Sequence, residues 1–250
     1  MCGRFVSASS PQLLIDRFGI EDDQVGEHEP DYNVTPRAVV PVVRERPLRR
    51  DAPDVAPDAP ATRTLSPLRW GLVPSWADSP AIGDRTINAR AETVRTTRSY
   101  RNAFERRRCV IPADAFYEWL KIDVPGRTAP LRQPWLVRRK DGEPLAFAGL
   151  WEIWRDPAIV DDDDPDAWLR TCTIITTRAN PLLARVHERM PVVLDESTWD
   201  RWLDPRFRDL DELESFLVTA PDEWFDTYEV SARVNSPQHN DADLLRPVAA

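Results

Sequence analysis

Residues 108–119 read RCVIPADAFYEW, and this stretch sets the expectation for the fold. It holds two short runs of apolar, β-branched and aromatic residues, 108–111 and 115–120, separated by a proline and an aspartate. Runs of this length between turn-forming residues are typical of β-strands. The same pattern recurs along the chain at 38–43, 67–73, 86–90, 134–138, 145–151, 170–176 and 191–194. The sequence therefore predicts a strand-rich protein.

Helix signals are fewer and lie between the strand-like runs. Ser10 and Pro11 open an amphipathic segment that ends at Gly19, since Ser caps a helix, Pro fits its first turn and Gly permits a left-handed exit. Further helices are predicted near 97–106, from about Ser197, and over 209–219. Strands and helices do not alternate regularly, which favours an α+β fold. We expect bent, largely antiparallel mixed sheets with peripheral helices.

The domain organisation follows from where apolar runs are missing. We predict a single domain over residues 2–241 and a C-terminal tail over 242–250. Residues 44–66 are rich in Pro, Ala, Arg and Asp and are predicted to be a surface loop insertion. Residues 156–167 contain four consecutive aspartates followed by a proline, so a second surface insertion is predicted there.

The composition is that of a soluble globular protein, with 250 residues, 42% hydrophobic and 30% charged. No apolar run approaches the roughly 18 residues of a membrane span, and the N-terminus lacks a signal-peptide pattern. The three cysteines are far apart in sequence and form no CxxC pair. Neither a disulfide framework nor a cysteine zinc site is therefore expected. We expect a cytoplasmic monomer with no metal, no cofactor and no membrane partner.

Positive charge is concentrated in one segment. Residues 85–108 hold eight arginines against two glutamates, whereas the whole chain carries a net charge of −9. The total charge argues against a nucleic-acid partner, but a local positive field can bind phosphates regardless of the total. The planar guanidinium is also a bidentate phosphate ligand. A solvated, arginine-rich helix face is the alternative, and the composition leaves both open.

The N-terminal Cys2 is the first candidate reactive residue. If Met1 is removed, Cys2 carries an α-amine with a pKa of about 7.7–8.0, so a good fraction is neutral near pH 7. An amine captures an aldehyde as a Schiff base, and the thiol one carbon away can then close a five-membered thiazolidine ring. An incidental cysteine near a frayed terminus is the alternative interpretation.

Two neighbouring motifs are candidates for binding. Residues 69–76 read RWGLVPSW, and their two tryptophans flank a Gly/Pro turn where a base could stack. Residues 87–93 read INARAET, and Asn88 and Arg90 face the same side of a strand because they are two residues apart. Core tryptophans and a structurally satisfied asparagine are the alternative, and the two motifs taken alone favour that alternative.

Glu118 and His187 are candidates for acid–base chemistry. Glu118 lies between two aromatic residues in an apolar run, where loss of solvation raises the pKa of a carboxyl group. A salt-bridged glutamate on an edge strand is the alternative. His187 begins the sequence HERMP, which has a proline where an HExxH zinc motif needs its second histidine. A zinc protease is therefore excluded, and His187 is either a proton donor or a structural histidine.

Taken together, the motifs resemble those of the SOS-response-associated peptidase (SRAP) family, the abasic-site DNA–protein crosslinking proteins. The resemblance spans residues 2 to about 241, nearly the whole chain. The motifs that carry it, in order, are MCGRF, YNVTP (32–36), RWGLVPSW, INARAET, RCVIPADAFYEW, FAGLWE (147–152), TIITTRAN (173–180), HERMPVVL and VNSPQHND (234–241).

The resemblance implies that mature Cys2 bonds covalently to the ring-opened aldehyde of an abasic site in single-stranded DNA, giving a thiazolidine that shields the lesion. It implies that Asn88 holds the N-terminal amine and sugar, that Glu118 is the acid–base carboxylate, and that His187 protonates the leaving sugar oxygen. It assigns phosphate contacts to Arg4, Arg90 and Arg189, and the packing of a DNA wedge to Pro36 and Trp76. The location it implies is cytoplasmic, at the nucleoid when DNA is bound.

Two other functions remain open at this point. The family is also linked to self-removal of the residue before Cys2 and, more weakly, to peptidase and abasic-site lyase activity. A thiol peptidase would use Cys2 as its nucleophile, assisted by Glu118 and His187. A non-catalytic single-stranded DNA binding module would use arginines and tryptophans, and its salt-sensitive binding would survive loss of Cys2.

Overall fold

The computed structural model describes residues 2–46 and 61–248. Within them the chain forms thirteen strands and five α-helices. The strands are β1 (Arg4–Ser7), β2 (Asp22–Asp23), β3 (Asp31–Val34), β4 (Val39–Arg46), β5 (Thr62–Trp70), β6 (Asn88–Arg90), β7 (Arg108–Ala113), β8 (Ala115–Ile122), β9 (Leu131–Arg139), β10 (Leu145–Arg155), β11 (Trp168–Arg178), β12 (Arg189–Pro191) and β13 (Phe225–Glu229). The α-helices are α1 (Pro11–Phe18), α2 (Arg101–Arg106), α3 (Pro181–Ala184), α4 (Trp199–Leu203) and α5 (Leu210–Ser215).

The strands form two sheets. One has five strands in the order β13-β9-β8-β1-β3, and every neighbouring pair in it is antiparallel. The other has eight strands, with β12-β11-β10-β7-β4-β5-β2 along one path and β6 paired with β11. In this second sheet β5 also pairs in parallel with β11, so the sheet partly closes on itself. The predicted α+β class with largely antiparallel mixed sheets is confirmed.

The core has three layers. Between the two sheets, Phe5 and Phe116 of the five-stranded sheet pack with Trp70 and Phe147 of the eight-stranded sheet. The outer face of the eight-stranded sheet is covered by the helices, which contribute the buried side chains of Leu14, Phe18, Phe104, Trp199, Trp202 and Leu213. The outer face of the five-stranded sheet is covered by the C-terminal segment.

Helix α1 forms as its sequence predicts. The Ser10 side chain accepts a hydrogen bond from the Leu13 N–H, and Gly19 ends the helix with φ 62°. The helices predicted near 97–106, from about Ser197 and over 209–219 correspond to α2, α4 and α5, each shorter than expected.

Arg108 holds two of these short helices in place. Its side chain is 2% exposed, and its guanidinium donates to five backbone carbonyls. Two of these carbonyls lie in α2 and the others lie at or after the end of α4, at Trp202, Asp204 and Phe207. Arg108 therefore supplies the donors that the C-terminal carbonyls of these helices otherwise lack.

The structure corrects the predicted loop at 44–66. Residues 44–46 belong to β4 and residues 62–66 to β5, where they pair as an antiparallel ladder, and 47–60 lie outside the described residues. The polar side chains misled the prediction because they are buried against one another: Arg44 Nε donates to Ser66 Oγ at 3.0 Å. Polarity in this ladder does not signal exposure.

The C-terminal segment is also more ordered than a tail. Residues Ala242–Leu245 form a 3₁₀ helix, and Leu244 is buried beside Val230 and Val234. The Val248 N–H donates to the Glu229 carbonyl at 2.9 Å. The predicted boundary at 241/242 is therefore wrong as a limit of the packed domain. Residues 156–167 connect β10 to β11 and are mostly exposed.

Within residues 2–46 and 61–248, no helix has the length and apolar character needed to span a membrane.

Candidate active site and nucleic-acid interface

Cys2 is fully buried just before β1. The Asn88 Nδ2 group donates a hydrogen bond to the Cys2 carbonyl at 2.9 Å. Asn88 begins β6, which runs beside β11 in the eight-stranded sheet, whereas β1 belongs to the five-stranded sheet. This bond therefore fixes residue 2 at the place where the two sheets meet.

Asn88 is held by its neighbours and keeps one acceptor available. The Tyr100 hydroxyl donates to the Asn88 carbonyl at 3.1 Å, which fixes the start of β6. The Asn88 Oδ1 atom is buried and accepts no hydrogen bond from the described residues. A buried acceptor without a donor is costly, so this oxygen is suited to a donor that arrives with a ligand or forms at Cys2.

Glu118 lies on β8, the strand next to β1, and is 4% exposed. As its sequence context predicts, burial raises the pKa of Glu118 to about 7. Burial also raises the pKa of the Cys2 thiol, and the negative charge of Glu118 adds to that effect. A carboxyl group that titrates near neutrality therefore lies within electrostatic reach of a thiol that stays protonated.

His187 follows α3 and has a defined tautomer. The backbone N–H of Arg189 donates to His187 Nδ1 at 3.0 Å, a closer contact than the 3.2 Å between Nδ1 and the Arg189 carbonyl. Because an amide N–H can only donate, Nδ1 accepts, and the proton of the neutral ring is on Nε2. Burial lowers the pKa of His187, so at pH 7 the ring is a neutral Nε2–H donor.

Arg189 is anchored beside this histidine. Its guanidinium bonds to both carboxylate oxygens of Glu92, at 2.6 and 3.0 Å, and to the Thr176 carbonyl at 2.5 Å. The hydrogen bond from Arg189 lowers the pKa of Glu92, which therefore remains ionised. A phosphate that binds Arg189 has to share the guanidinium with Glu92 or displace that carboxylate.

Comparison with known proteins places this geometry in a family. The SOS response associated peptidase (SRAP) family profile matches residues 1–237. The chain belongs to the SRAP family.

Two SRAP-like relatives cover nearly all of this chain. It is 38% identical over 247 residues to the abasic site processing protein YoqW of Bacillus subtilis, covering 98% of this chain and 99% of that protein. It is 30% identical over 279 residues to the abasic site processing protein HMCES of Pongo abelii, covering 99% of this chain and 76% of that protein. A solved structure from Bacteroides thetaiotaomicron has a TM-score of 0.77 at 23% identity, covering 99% of this chain and all (100%) of that one, which supports the SRAP fold.

The remaining arginines assigned by the SRAP resemblance differ in their surroundings. Arg90 is exposed at the end of β6, on the same side of the strand as Asn88. Arg4 is half-buried, and its Nη1 donates to Asn33 Oδ1 at 2.7 Å and to the Val234 carbonyl at 2.9 Å. Arg4 thus fastens β1 to the C-terminal segment, a role that the sequence did not indicate.

The two tryptophans of the RWGLVPSW motif differ in burial: Trp70 is buried and Trp76 is exposed. Trp70 is a core residue, whose Nε1 donates to the Ile87 carbonyl at 2.8 Å. Trp76 is 41% exposed, and the guanidinium of Arg98 stacks on its ring at 4.2 Å. Pro36 is half-buried. The partnership of Arg98 and Trp76 has no sequence signal, because 21 positions separate the two residues.

The arginine-rich segment 85–108 of this SRAP protein is not one continuous positive surface. Arg108 is buried, Arg95 pairs with Asp211 and Glu214, and Arg107 pairs with Glu152. The exposed arginines that form no ion pair with a described residue are Arg85, Arg90, Arg98, Arg101 and Arg106. Part of the predicted positive field is therefore used to hold the fold together.

Among residues 2–46 and 61–248, no group of three or more His, Cys, Asp or Glu side chains is arranged to hold a metal ion.

Proposed function

We propose that this SRAP protein processes abasic sites in single-stranded DNA by forming a covalent thiazolidine between Cys2 and the abasic-site aldehyde. Relatives that cover nearly the whole chain are named abasic site processing proteins. The observation that carries the proposal is the hydrogen bond from Asn88 to the Cys2 carbonyl, which holds residue 2 beside the buried Glu118. Removal of Met1 then exposes an amine and a thiol at a fixed position.

The proposed chemistry needs no external oxidant or reductant. The neutral Cys2 amine adds to the aldehyde carbon to give a carbinolamine, which loses water to form an imine. The Cys2 sulfur then adds to the imine carbon, and the imine nitrogen gains a proton. The product is a five-membered ring containing both the nitrogen and the sulfur of Cys2.

Two residues would move protons in this sequence. Protonated Glu118 donates to the hydroxyl group that leaves the carbinolamine, and its carboxylate accepts the proton from the incoming thiol. The neutral His187 ring donates from Nε2 to the sugar ring oxygen as the abasic site opens to its aldehyde. The pKa of Glu118, about 7, allows it to serve in both directions near neutral pH.

The same contacts favour crosslinking over a thiol peptidase. A peptidase nucleophile needs a thiolate, usually generated by an adjacent histidine. Here burial raises the pKa of the Cys2 thiol, and His187 Nδ1 already accepts from Arg189. Thiazolidine closure does not need a stable thiolate, because the Glu118 carboxylate accepts the thiol proton as sulfur adds and the imine nitrogen gains a proton.

The test is a denaturing gel. Protein with Met1 removed, as verified by intact mass, is mixed with a single-stranded oligonucleotide carrying one abasic site. We expect a heat-stable shifted band with the natural protein and none with Cys2→Ala. Cys2→Ser keeps the amine but not the thiol, so its adduct should appear only after borohydride reduction of the imine.

Each outcome separates the functions. Absence of a band with the processed natural protein would sink the crosslinking proposal. Binding of the oligonucleotide that survives Cys2→Ala, without any adduct from either protein, would instead identify a non-covalent DNA-binding module. Turnover of peptides that requires Cys2 would identify a peptidase.

A further inference from the structure

The hairpin formed by β8 and β9 carries cations that the fold does not use. Beyond Glu118, residues 119–133 contain Lys121, Arg127 and Arg132 against a single acid, Asp123. All three cations are exposed, and none forms an ion pair with a described residue. We call residues 119–133 the basic hairpin.

The register of the basic hairpin makes these charges unfavourable in the protein alone. Lys121 and Arg132 are directly opposite each other on the antiparallel strands. Like charges in directly opposed positions destabilise a sheet. Farther along the same strand, Arg138 pairs with Asp226 and Arg139 with Asp141. The two opposed cations have no such partner among the residues that the structure describes, so an anion bound between them would relieve their repulsion.

The basic hairpin begins at the candidate site. Lys121 follows Glu118 by three residues on β8, about 10 Å along the strand at about 3.3 Å per residue, and this odd spacing turns its side chain to the opposite face of the sheet. Beyond the dominant effect of burial, the positive charge of Lys121 is among the influences that lower the pKa of His187, so its field reaches the site.

We propose that the basic hairpin binds the phosphate backbone of the strand that flanks the abasic site, with Lys121 and Arg132 sharing one phosphate or two adjacent phosphates. This inference rests on the proposed function, since that function brings a DNA strand to Glu118. An acidic protein segment has the same charge, but nothing places it here, whereas a strand captured at Cys2 has to leave the site across the surrounding surface.

The decisive variant is Lys121→Glu, because it separates folding from binding. It turns the opposed like charges into an opposite-charge pair with Arg132, so we expect the melting temperature to rise by about 1–3 °C. We expect affinity for an undamaged single-stranded oligonucleotide, measured by fluorescence anisotropy, to fall at least tenfold. The slope of log affinity against log salt should become shallower by about 0.7 for each phosphate that the variant no longer neutralises.

Arg170→Glu is the matched control. Arg170 is an exposed arginine on β11. It precedes Thr176, whose carbonyl accepts a hydrogen bond from Arg189, by six residues, or about 20 Å along the strand. Arg170→Glu changes the net charge by the same amount as Lys121→Glu but lies away from the basic hairpin. We therefore expect it to lower the affinity for the oligonucleotide less than twofold. Equal losses in both variants would mean that the total charge of the protein matters and would overturn a specific role for the basic hairpin.

The outcomes for the hairpin and for the crosslinking chemistry are distinguishable. If Lys121→Glu and the natural protein bind the undamaged oligonucleotide equally well and form the abasic-site adduct at equal rates, the inference fails while the proposed function stands. If the natural protein forms no adduct, the proposed function fails, and the anisotropy comparison still decides the hairpin. Equal DNA affinities of Lys121→Glu and the natural protein would instead leave an acidic protein segment as the candidate partner of the basic hairpin.

Discussion

At the scale of single residues, the site combines the backbone of Cys2, which a hydrogen bond holds in place, with the carboxyl group of Glu118, which titrates near neutral pH. The Asn88 amide holds the Cys2 carbonyl, and Glu118 is buried beside it on β8. Burial makes the charged form of Glu118 unfavourable and brings its titration to about pH 7. The reactivity of Cys2 should therefore depend on pH through the protonation of Glu118. Substitution of Glu118 removes that part of the pH dependence.

The rate of crosslinking should show that dependence. It should rise with pH as the Cys2 amine loses its proton, near pH 7.7–8.0, and fall above about pH 7 as Glu118 loses the proton it donates. Glu118→Gln removes the falling limb, so the advantage of the natural protein, about 10²-fold at pH 6, should shrink toward pH 9. Single-turnover gels across this range measure the ratio, and a ratio independent of pH contradicts the acid–base role.

Folding stability should respond to Glu118 with a definite sign. An ordinary glutamate titrates near pH 4.3, and the folded protein raises this value to about 7. The unfolded chain therefore loses its proton first, and stability falls as pH rises from about 4.3 through about 7. Glu118→Gln lacks this loss, so its denaturation midpoint relative to the natural protein should be higher at pH 8 than at pH 5. A difference that stays constant with pH would show that burial of Glu118 carries no energetic cost.

At the scale of elements, the sequence predicts what local pattern determines. The Ser10 cap and the Gly19 exit gave α1 correctly, and the apolar runs located the long strands β7 to β11. The short strands β1, β3 and β13 were missed because their residues are mixed in polarity and are stabilised by pairing rather than by a local apolar run. The sequence motifs identified Cys2, Asn88 and Glu118 as candidate site residues. Their proximity could not be predicted, because it depends on how the two sheets meet.

Arg108 illustrates the part that local pattern misses, because its sequence neighbours are surface arginines while its guanidinium satisfies five carbonyls. We expect Arg108→Ala to lower the free energy of unfolding by about 3–5 kcal/mol, since buried carbonyls lose their donors. Arg106→Ala, two residues earlier and exposed, should change it by less than about 0.5 kcal/mol. Urea unfolding of the two variants makes the comparison, and equal effects would show that the carbonyls find other donors.

At the scale of the whole molecule, a contact between two glycines sets the position of the exposed tryptophan loop. A Cβ on Gly83 would lie 2.7 Å from the Gly71 carbonyl oxygen, and one on Gly71 would lie 2.6 Å from the Gly83 oxygen. The two backbones therefore cross in direct contact at the base of the loop that carries Trp76. This contact links the closed part of the eight-stranded sheet to the surface on which DNA is proposed to pack.

Substitution at this crossing should affect DNA binding as well as stability. Gly83→Ala forces the backbones apart, with an expected cost of about 1–3 kcal/mol, and should weaken single-stranded DNA binding because Trp76 is displaced. Gly142→Ala is the control, since Gly142 has φ 80° but no atom within 4 Å of an added Cβ. It should lose stability through backbone strain alone and bind DNA normally. Normal DNA affinity in Gly83→Ala would separate the glycine contact from the DNA surface.

The position of β1 has a mechanical consequence for a protein attached to DNA through residue 2. Strand β1 is flanked on both sides, by β8 and by β3, and begins two residues after Cys2. Tension on the captured DNA would pull along β1. It would load the hydrogen bonds of β1 to both β8 and β3 in shear, whereas an edge strand could be peeled away one hydrogen bond at a time. A motor that collides with the adduct would have to draw out an internal strand before the rest of the fold yields.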